Sequence, residues 1–217
     1  MRCLLVVTLT GIASLTVTAS ANAQWRETKW EVSPFAGYET NGTFTVTPSP
    51  IAITVTKLRA NANLSFGSFL DYSLTTNAQL EFMWNRNPTT YSEQQSPNTA
   101  FTKAYHSNID QFQFGGLFTF LGSEHKLRPY IAGGLGFTHE FNTGGTANRT
   151  DFSFSLGGGL KYFVDRHFGF RADARWMPTY ANSSLEIICD PFLGCYTARV
   201  SHYQHRGNFV GGLVFRF

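Results

Sequence analysis

Glu31, Asp71, Glu81, Lys161, Arg171, Asp173 and Arg175 are the residues whose placement offers chemistry, because each is flanked on both sides by an apolar neighbour. In an extended strand alternate side chains share a face. The seven would therefore gather on one surface, with Trp30, Leu70, Phe82, Leu160, Phe170 and Trp176 on the other. Two kinds of chemistry are open to such a row. It can line a narrow water-filled path in which ion pairs exchange partners, or it can tie itself into a closed network that fills the space it faces. An unpaired buried charge is costly and a fully satisfied network is not, which favours the plug.

Other chemical groupings are weaker. Tyr105-His106-Ser107-Asn108 sets an imidazole beside a hydroxyl, the ingredients of a base and nucleophile, but adjacent strand residues point to opposite faces. No catalytic pair is expected there. His202 and His205 are three residues apart, which separates them in a strand and leaves them solvated in a loop, so no metal centre is expected. Gly144-Gly145 and Gly157-Gly158-Gly159 lack the Lys-Ser/Thr and following helix of a phosphate loop. They imply no cofactor, and more simply make room for aromatic neighbours and sheet curvature.

The elements that must position the charged row are strands. The last ten residues, Asn208 to Phe217, alternate strictly, with Phe209, Gly211, Leu213, Phe215 and Phe217 on one face and Asn208, Val210, Gly212, Val214 and Arg216 on the other. Seven further alternating stretches precede them: 30–38, 64–72, 78–85, 108–120, 127–139, 151–163 and 168–177. Long polar segments at 39–63, 86–107, 140–150 and 178–204 take turns with short ones at 73–77, 121–126 and 164–167. Within the strands Glu31, Asp71, Glu81, Arg128, Asp151, Lys161, Arg171, Asp173, Arg175 and Arg216 all avoid the apolar face. Asp110 is the exception, at the loop end of its strand. A soluble barrel has no reason to clear its outer face of charge. A membrane barrel does, so the expected fold is all-β: an eight-stranded antiparallel up-and-down transmembrane β-barrel.

Composition agrees. Of 217 residues only 14% are charged and 16% are aromatic, against the ~25% charged residues usual in soluble domains. A formal charge of +3 gives no footing for nucleic acid. Residues 1–23 read as a cleaved signal peptide: Arg2, an apolar stretch from Leu4 to Val17, and Ala21-Asn22-Ala23 before Gln24. The barrel domain is then 24–217, and Cys3 leaves with the signal. The remaining pair, Cys189 and Cys195, closes a short Pro- and Gly-containing loop and in an exported chain reads as a disulfide, a two-cysteine metal site having too few ligands.

Trp30-Glu31-Val32-Ser33-Pro34-Phe35-Ala36-Gly37-Tyr38, Arg128-Pro129-Tyr130-Ile131-Ala132-Gly133-Gly134-Leu135-Gly136, Phe152 to Phe163 and the ending Gly212-Leu213-Val214-Phe215-Arg216-Phe217 resemble, in this order, the small eight-stranded outer-membrane β-barrel family of OmpX and the OmpA transmembrane domain. The resemblance implies a mostly monomeric barrel in the outer membrane of a Gram-negative-type cell, among outer-membrane lipid and lipopolysaccharide. It also implies that Leu213, Phe215 and Phe217 form the C-terminal signal read by the barrel assembly machinery. It does not imply one function. The expectation is a non-enzymatic barrel with a structural or surface-recognition role and an interior plugged by its charges. The alternative is a narrow pore for ions or small solutes. A lipid A-modifying enzyme is a third reading, disfavoured because members with that activity separate their His and Ser by one residue and here the two are adjacent.

Overall fold

The computed structural model describes residues 29–45, 57–94, 99–122, 124–142, 148–180, 186–190, 194–198 and 203–217. Residues 1–23, expected as a signal peptide, and the Cys189 and Cys195 side chains lie outside the described residues. Eight long strands form the wall: β1 Trp30–Asn41, β2 Asn63–Ser73, β3 Ala78–Gln94, β4 Thr102–Thr119, β5 Leu127–Asn142, β6 Arg149–Phe163, β7 Phe168–Trp176 and β8 Arg206–Arg216. Each pairs antiparallel with the next in sequence, and β8 returns to β1 through Glu31 opposite Arg216 and Asn41 opposite Arg206. Backbone N–H groups of Trp30 and Phe217 donate to each other's carbonyls at 3.1 and 3.0 Å, fastening the seam at its lower edge. The sheet therefore closes on itself.

Alternation decides which face is which. On β7 the outward positions Phe170, Ala172, Ala174 and Trp176 are exposed while Gly169, Arg171, Asp173 and Arg175 are buried. Leu135, Phe152, Leu156 and Phe209 are each more than half exposed. An outside made of aliphatic and aromatic side chains with an inside of carboxylates and guanidiniums inverts the usual soluble arrangement, and only a hydrocarbon surround makes it favourable.

Short turns close one end. In the turn after β6 the Asp165 carboxylate accepts the N–H groups of His167 and Phe168 at 2.7 and 2.8 Å. Those two bonds hold its pKa below the ordinary aspartate range. At the other end the strands run further than their sequence pattern suggests. β3 and β4 have 17 and 18 residues, against the roughly 10 that cross hydrocarbon, so they stand clear of the apolar belt by roughly 20 Å along the strand. Segments 86–94 and 102–107, expected as loop, are thus paired strand, broken by one irregularity between Tyr91 and Ser92. Residues Lys57–Ala60 add to β3 and Thr43–Thr45 to them. Thr179–Tyr180 and Tyr203–Gln204 extend the wall beside β6. Within the last long connection Glu186–Asp190 and Gly194–Ala198 form a separate hairpin whose register sets Cys189 opposite Cys195.

Leu156 lies midway along the lipid-facing row of β6 and is 60% exposed. Leu156→Arg is expected to lower folding stability in bilayers by roughly 2–4 kcal/mol, while Phe141→Arg, at the upper margin, is expected to cost about 0–1 kcal/mol. Equilibrium unfolding in denaturant, read by tryptophan emission, checks both.

Candidate functional site

All seven residues singled out from the sequence meet inside the barrel. β7 delivers Arg171, Asp173 and Arg175 from one strand because the three share its inward face. β1, β2 and β3 bring Glu31, Asp71 and Glu81 to adjacent register positions, Glu31 opposite Asp71 and Asp71 opposite Glu81. β6 adds Lys161, which stands beside Arg171 across the β6–β7 pair. Every member of the cluster is at most 5% exposed.

The hydrogen bonds account for nearly all of this charge. Arg171 donates through Nε to the Tyr130 hydroxyl at 2.8 Å, through Nη1 to Asp71 at 3.0 Å, and through Nη2 to Glu81 and Asp173 at 2.5 and 3.1 Å. Arg175 grips both oxygens of Glu81 at 2.6 and 3.0 Å and both of Asp173 at 2.7 and 3.0 Å. The Tyr130 hydroxyl passes its own proton toward Asp173 at 2.5 Å. Lys161 uses its three ammonium protons on Glu31, Asp71 and Gln79, at 2.7, 2.7 and 2.8 Å. Arg216 closes the lower edge onto the second oxygen of Glu31. Gly159 is part of the construction: a Cβ there would sit 2.6 Å from the Tyr130 hydroxyl oxygen, so only glycine lets that ring reach Asp173.

Above the charges the filling changes character. The Phe69 ring lies against both guanidinium groups, its centroid 3.6 Å from Arg171 Cζ and 4.8 Å from Arg175 Cζ, and touches Phe35 at a centroid distance of 4.6 Å. Phe35, Phe69, Met83, Met177 and Val210 form an apolar cluster inside the barrel, beside the buried Gln113–Ser153 hydrogen bond of 2.6 Å. Gly67 makes room for it, since a Cβ there would meet the Phe35 ring at 2.8 Å. Beyond this cluster a second polar group begins. Asn85 donates to Glu39 and Gln111 at 2.7 and 2.8 Å, and Arg206 donates to Glu140 and Gln204 at 2.5 and 2.9 Å. Arg149 pairs with Asp151 and Glu140.

That upper group was missed from the sequence because Glu39, Glu140 and Arg149 fall in segments read as loop and Arg206 falls between the last loop and the last strand. Their parity was the available signal: Glu39 continues the inward row of Glu31, Glu140 that of Arg128, and Arg206 that of Arg216. Asp110 has a partner that also lay in a supposed loop. Arg86, directly opposite it on β3, grips both of its oxygens at 2.6 and 2.5 Å on the outer face.

Below the charges the interior opens. A cavity of about 750 Å³ at the short-turn end is lined by Lys161, Glu31, Gln79, Arg128, Phe163 and Arg216 and by turn residues 124–126 and 164–167. It is blind, ending on the Lys161 ion pairs. Arg128 and Arg216 both stack on Phe163, at 4.5 and 4.1 Å from its centroid.

His106 and Ser107 do point apart: the His106 ring is outside, within 3.0 Å of the Thr90 hydroxyl, and the buried Ser107 hydroxyl donates to the Phe141 carbonyl at 3.2 Å. His205 lies between the Tyr203–Gln204 strand and β8, exposed, with its ring nearly parallel to Trp176 at a centroid distance of 5.6 Å on the outer face. His202 is outside the described residues.

The family model described as the outer membrane protein beta-barrel domain matches residues 8–186, and the chain belongs to that family. No curated protein matches it in sequence. Among solved structures it is similar to the outer membrane protein OprG from Pseudomonas aeruginosa, at a TM-score of 0.62 and 11% identity over 88% of this chain and 97% of that one. It is also similar to the Neisserial surface protein A, NspA, at 0.53 and 13% over 87% and 97%, and to the outer membrane protein AlkL, at 0.50 and 10% over 91% and 94%. These likenesses show the fold. The protein is an outer-membrane β-barrel.

Arg171→Met leaves Asp71, Glu81 and Asp173 short of a partner in a buried site, and a loss of roughly 3–5 kcal/mol is expected from breaking a buried pair in this way. The measurement is the denaturant midpoint of the folded barrel in micelles. Arg86→Met, on the outer face where Arg86 is 40% exposed, is expected to cost less, on the order of 1 kcal/mol after discounting for solvent.

Proposed function

We propose that this protein is a closed-bore, non-enzymatic element of the outer membrane that acts through its wall and its outer surface. The observation that carries this reading is the interior itself. The Arg171–Glu81–Arg175–Asp173 cluster, with its charges paired, packs against Phe35, Phe69, Met83, Met177 and Val210, and among the described residues the polar side chains beside them, Gln113 and Ser153 included, are buried. These side chains would have to move for an ion to pass. The ~20 Å of paired strand beyond the belt supports a surface role, because sheet built where no lipid requires it presents a rigid platform.

In this reading the chain is monomeric among outer-membrane lipid and lipopolysaccharide. Leu213, Phe215 and Phe217 are the signal read by the barrel assembly machinery, and a Cys189–Cys195 disulfide staples the outer hairpin. The Cα register that sets those two cysteines opposite each other supports the staple. The pore alternative draws on one observation, the blind cavity that reaches Lys161 from the short-turn side. Single-channel recording of the refolded chain in planar bilayers separates the two. The plug predicts a folded protein, identified by its shifted gel mobility before boiling, that gives no discrete steps. Reproducible steps that change in size in Phe35→Ala, which thins the apolar cluster, establish the pore instead.

A further inference from the structure

On the outer wall, where β7 and β8 leave the apolar belt, five rings are arranged in a way that burial does not require. Trp176 and His205 lie with ring planes 19° apart and centroids separated by 5.6 Å, and His205 and Tyr203 with planes 12° apart and centroids separated by 6.5 Å. Nearly parallel planes at those separations overlap only in part, so each ring keeps part of its face open. Trp176 remains 45% exposed and Tyr203 48%. Two more rings stand edge-on at the ends of this floor. Tyr180 meets Tyr203 at 5.3 Å and 64°, and Phe154 meets Trp176 at 5.7 Å and 87°. Gly207, the next outward position after His205, carries no side chain, and the Thr40 hydroxyl and the edge of the Phe209 ring lean over it.

We propose that Trp176, His205 and Tyr203, walled by Tyr180 and Phe154, form a seat for the sugar rings of an outer-leaflet glycolipid. Three features select this occupant. The seat is continuous with the lipid-facing row below it, Leu156, Phe154 and Phe209, so the molecule whose acyl chains cover that row carries its headgroup to the height of these rings. It lies at the end with the long connections, which in outer-membrane barrels faces outward. Its rings are near-parallel and half-exposed, and no charged side chain stands among them in the described residues, which suits the apolar C–H face of a saccharide better than a bare phosphate. Tyr180, Tyr203 and the His205 ring add polar edges for hydroxyl groups. Ordinary interfacial anchoring asks only that a ring's polar edge reach water. It does not ask three neighbours to lie parallel. The proposal stands whether or not the interior conducts.

The test uses the folded full barrel in a zwitterionic detergent that contains no sugar, titrated with core oligosaccharide released from lipopolysaccharide and freed of its acyl chains. The readout is the indole N–H resonance of Trp176, assigned by its loss in Trp176→Phe. A saturable shift is expected. Its apparent affinity should fall by about tenfold in Tyr203→Leu and in His205→Ala, the size that loss of one good ring contact gives. It should be unchanged in Phe118→Ala, which removes an equally exposed ring, 47%, from the opposite end of the wall. Both seat variants lie outside the barrel's ion network, and gel mobility confirms that they fold. No saturable shift overturns the proposal, and so does an equal loss in Phe118→Ala.

Discussion

Backbone pairing in hydrocarbon is the constraint on which everything else here depends. Inside a bilayer no water is present to satisfy a stray N–H or C=O, so a sheet must have no edge. The reciprocal bonds between Trp30 and Phe217 and the β1–β8 register from Glu31–Arg216 to Asn41–Arg206 supply that closure. Once the sheet is closed, alternation forces every second side chain into a confined interior of an eight-stranded barrel, a space that side chains largely fill. The inward row cannot be arbitrary: it has to pack, and its polar atoms have to find one another.

The chain meets that demand in layers. Four carboxylates, Glu31, Asp71, Glu81 and Asp173, and three cations, Lys161, Arg171 and Arg175, share a hydrogen-bonded core in which no charge relies on a single contact. Planar guanidinium groups make this possible, since Arg175 holds two carboxylates bidentately while lying against Phe69, a geometry an ammonium would not reproduce. Phe69 belongs to both worlds, a cation-facing ring on one side and part of the apolar cluster on the other. That coupling explains why the apolar cluster sits directly on the ion network. The cluster also stands between the cavity near the short turns and the upper group around Glu39, Glu140 and Arg206, with the buried Gln113–Ser153 pair beside it.

Within the hydrocarbon span the fold could be read from alternation because the two solvents differ. Arg171, Asp173 and Arg175 against Phe170, Ala172, Ala174 and Trp176 leave no ambiguity about which face is which. Above the belt the outer face meets water too, the contrast vanishes, and strand looks like loop. Thr90, Arg86, His106 and Asn108 sit outward on β3 and β4 and are as polar as their inward neighbours. That is why residues 86–94 and 102–107 were taken for a loop and why Glu39, Glu140 and Arg206 escaped notice. The seven interior charges were identifiable because each sits between apolar neighbours. What joins them was not: Tyr130 as the hydroxyl shared by Arg171 and Asp173, Gln79 as the third acceptor for Lys161, and Phe69 as the ring against both arginines depend on strand stagger around the barrel, which alternation along single strands does not encode. The Arg86–Asp110 pair needed the β3–β4 register in the same way.

The central claim is that the ion network is dry and static, a partition and not a path. Magic-angle-spinning NMR of the barrel in lipid bilayers, with guanidino-labelled arginine, tests it directly by timing polarisation transfer from water to each side chain. Transfer to Arg171 and Arg175 is predicted to be far slower than transfer to Arg166, which lies in an exposed turn. Equally fast transfer to all three would mean water threads the interior, and would contradict the account.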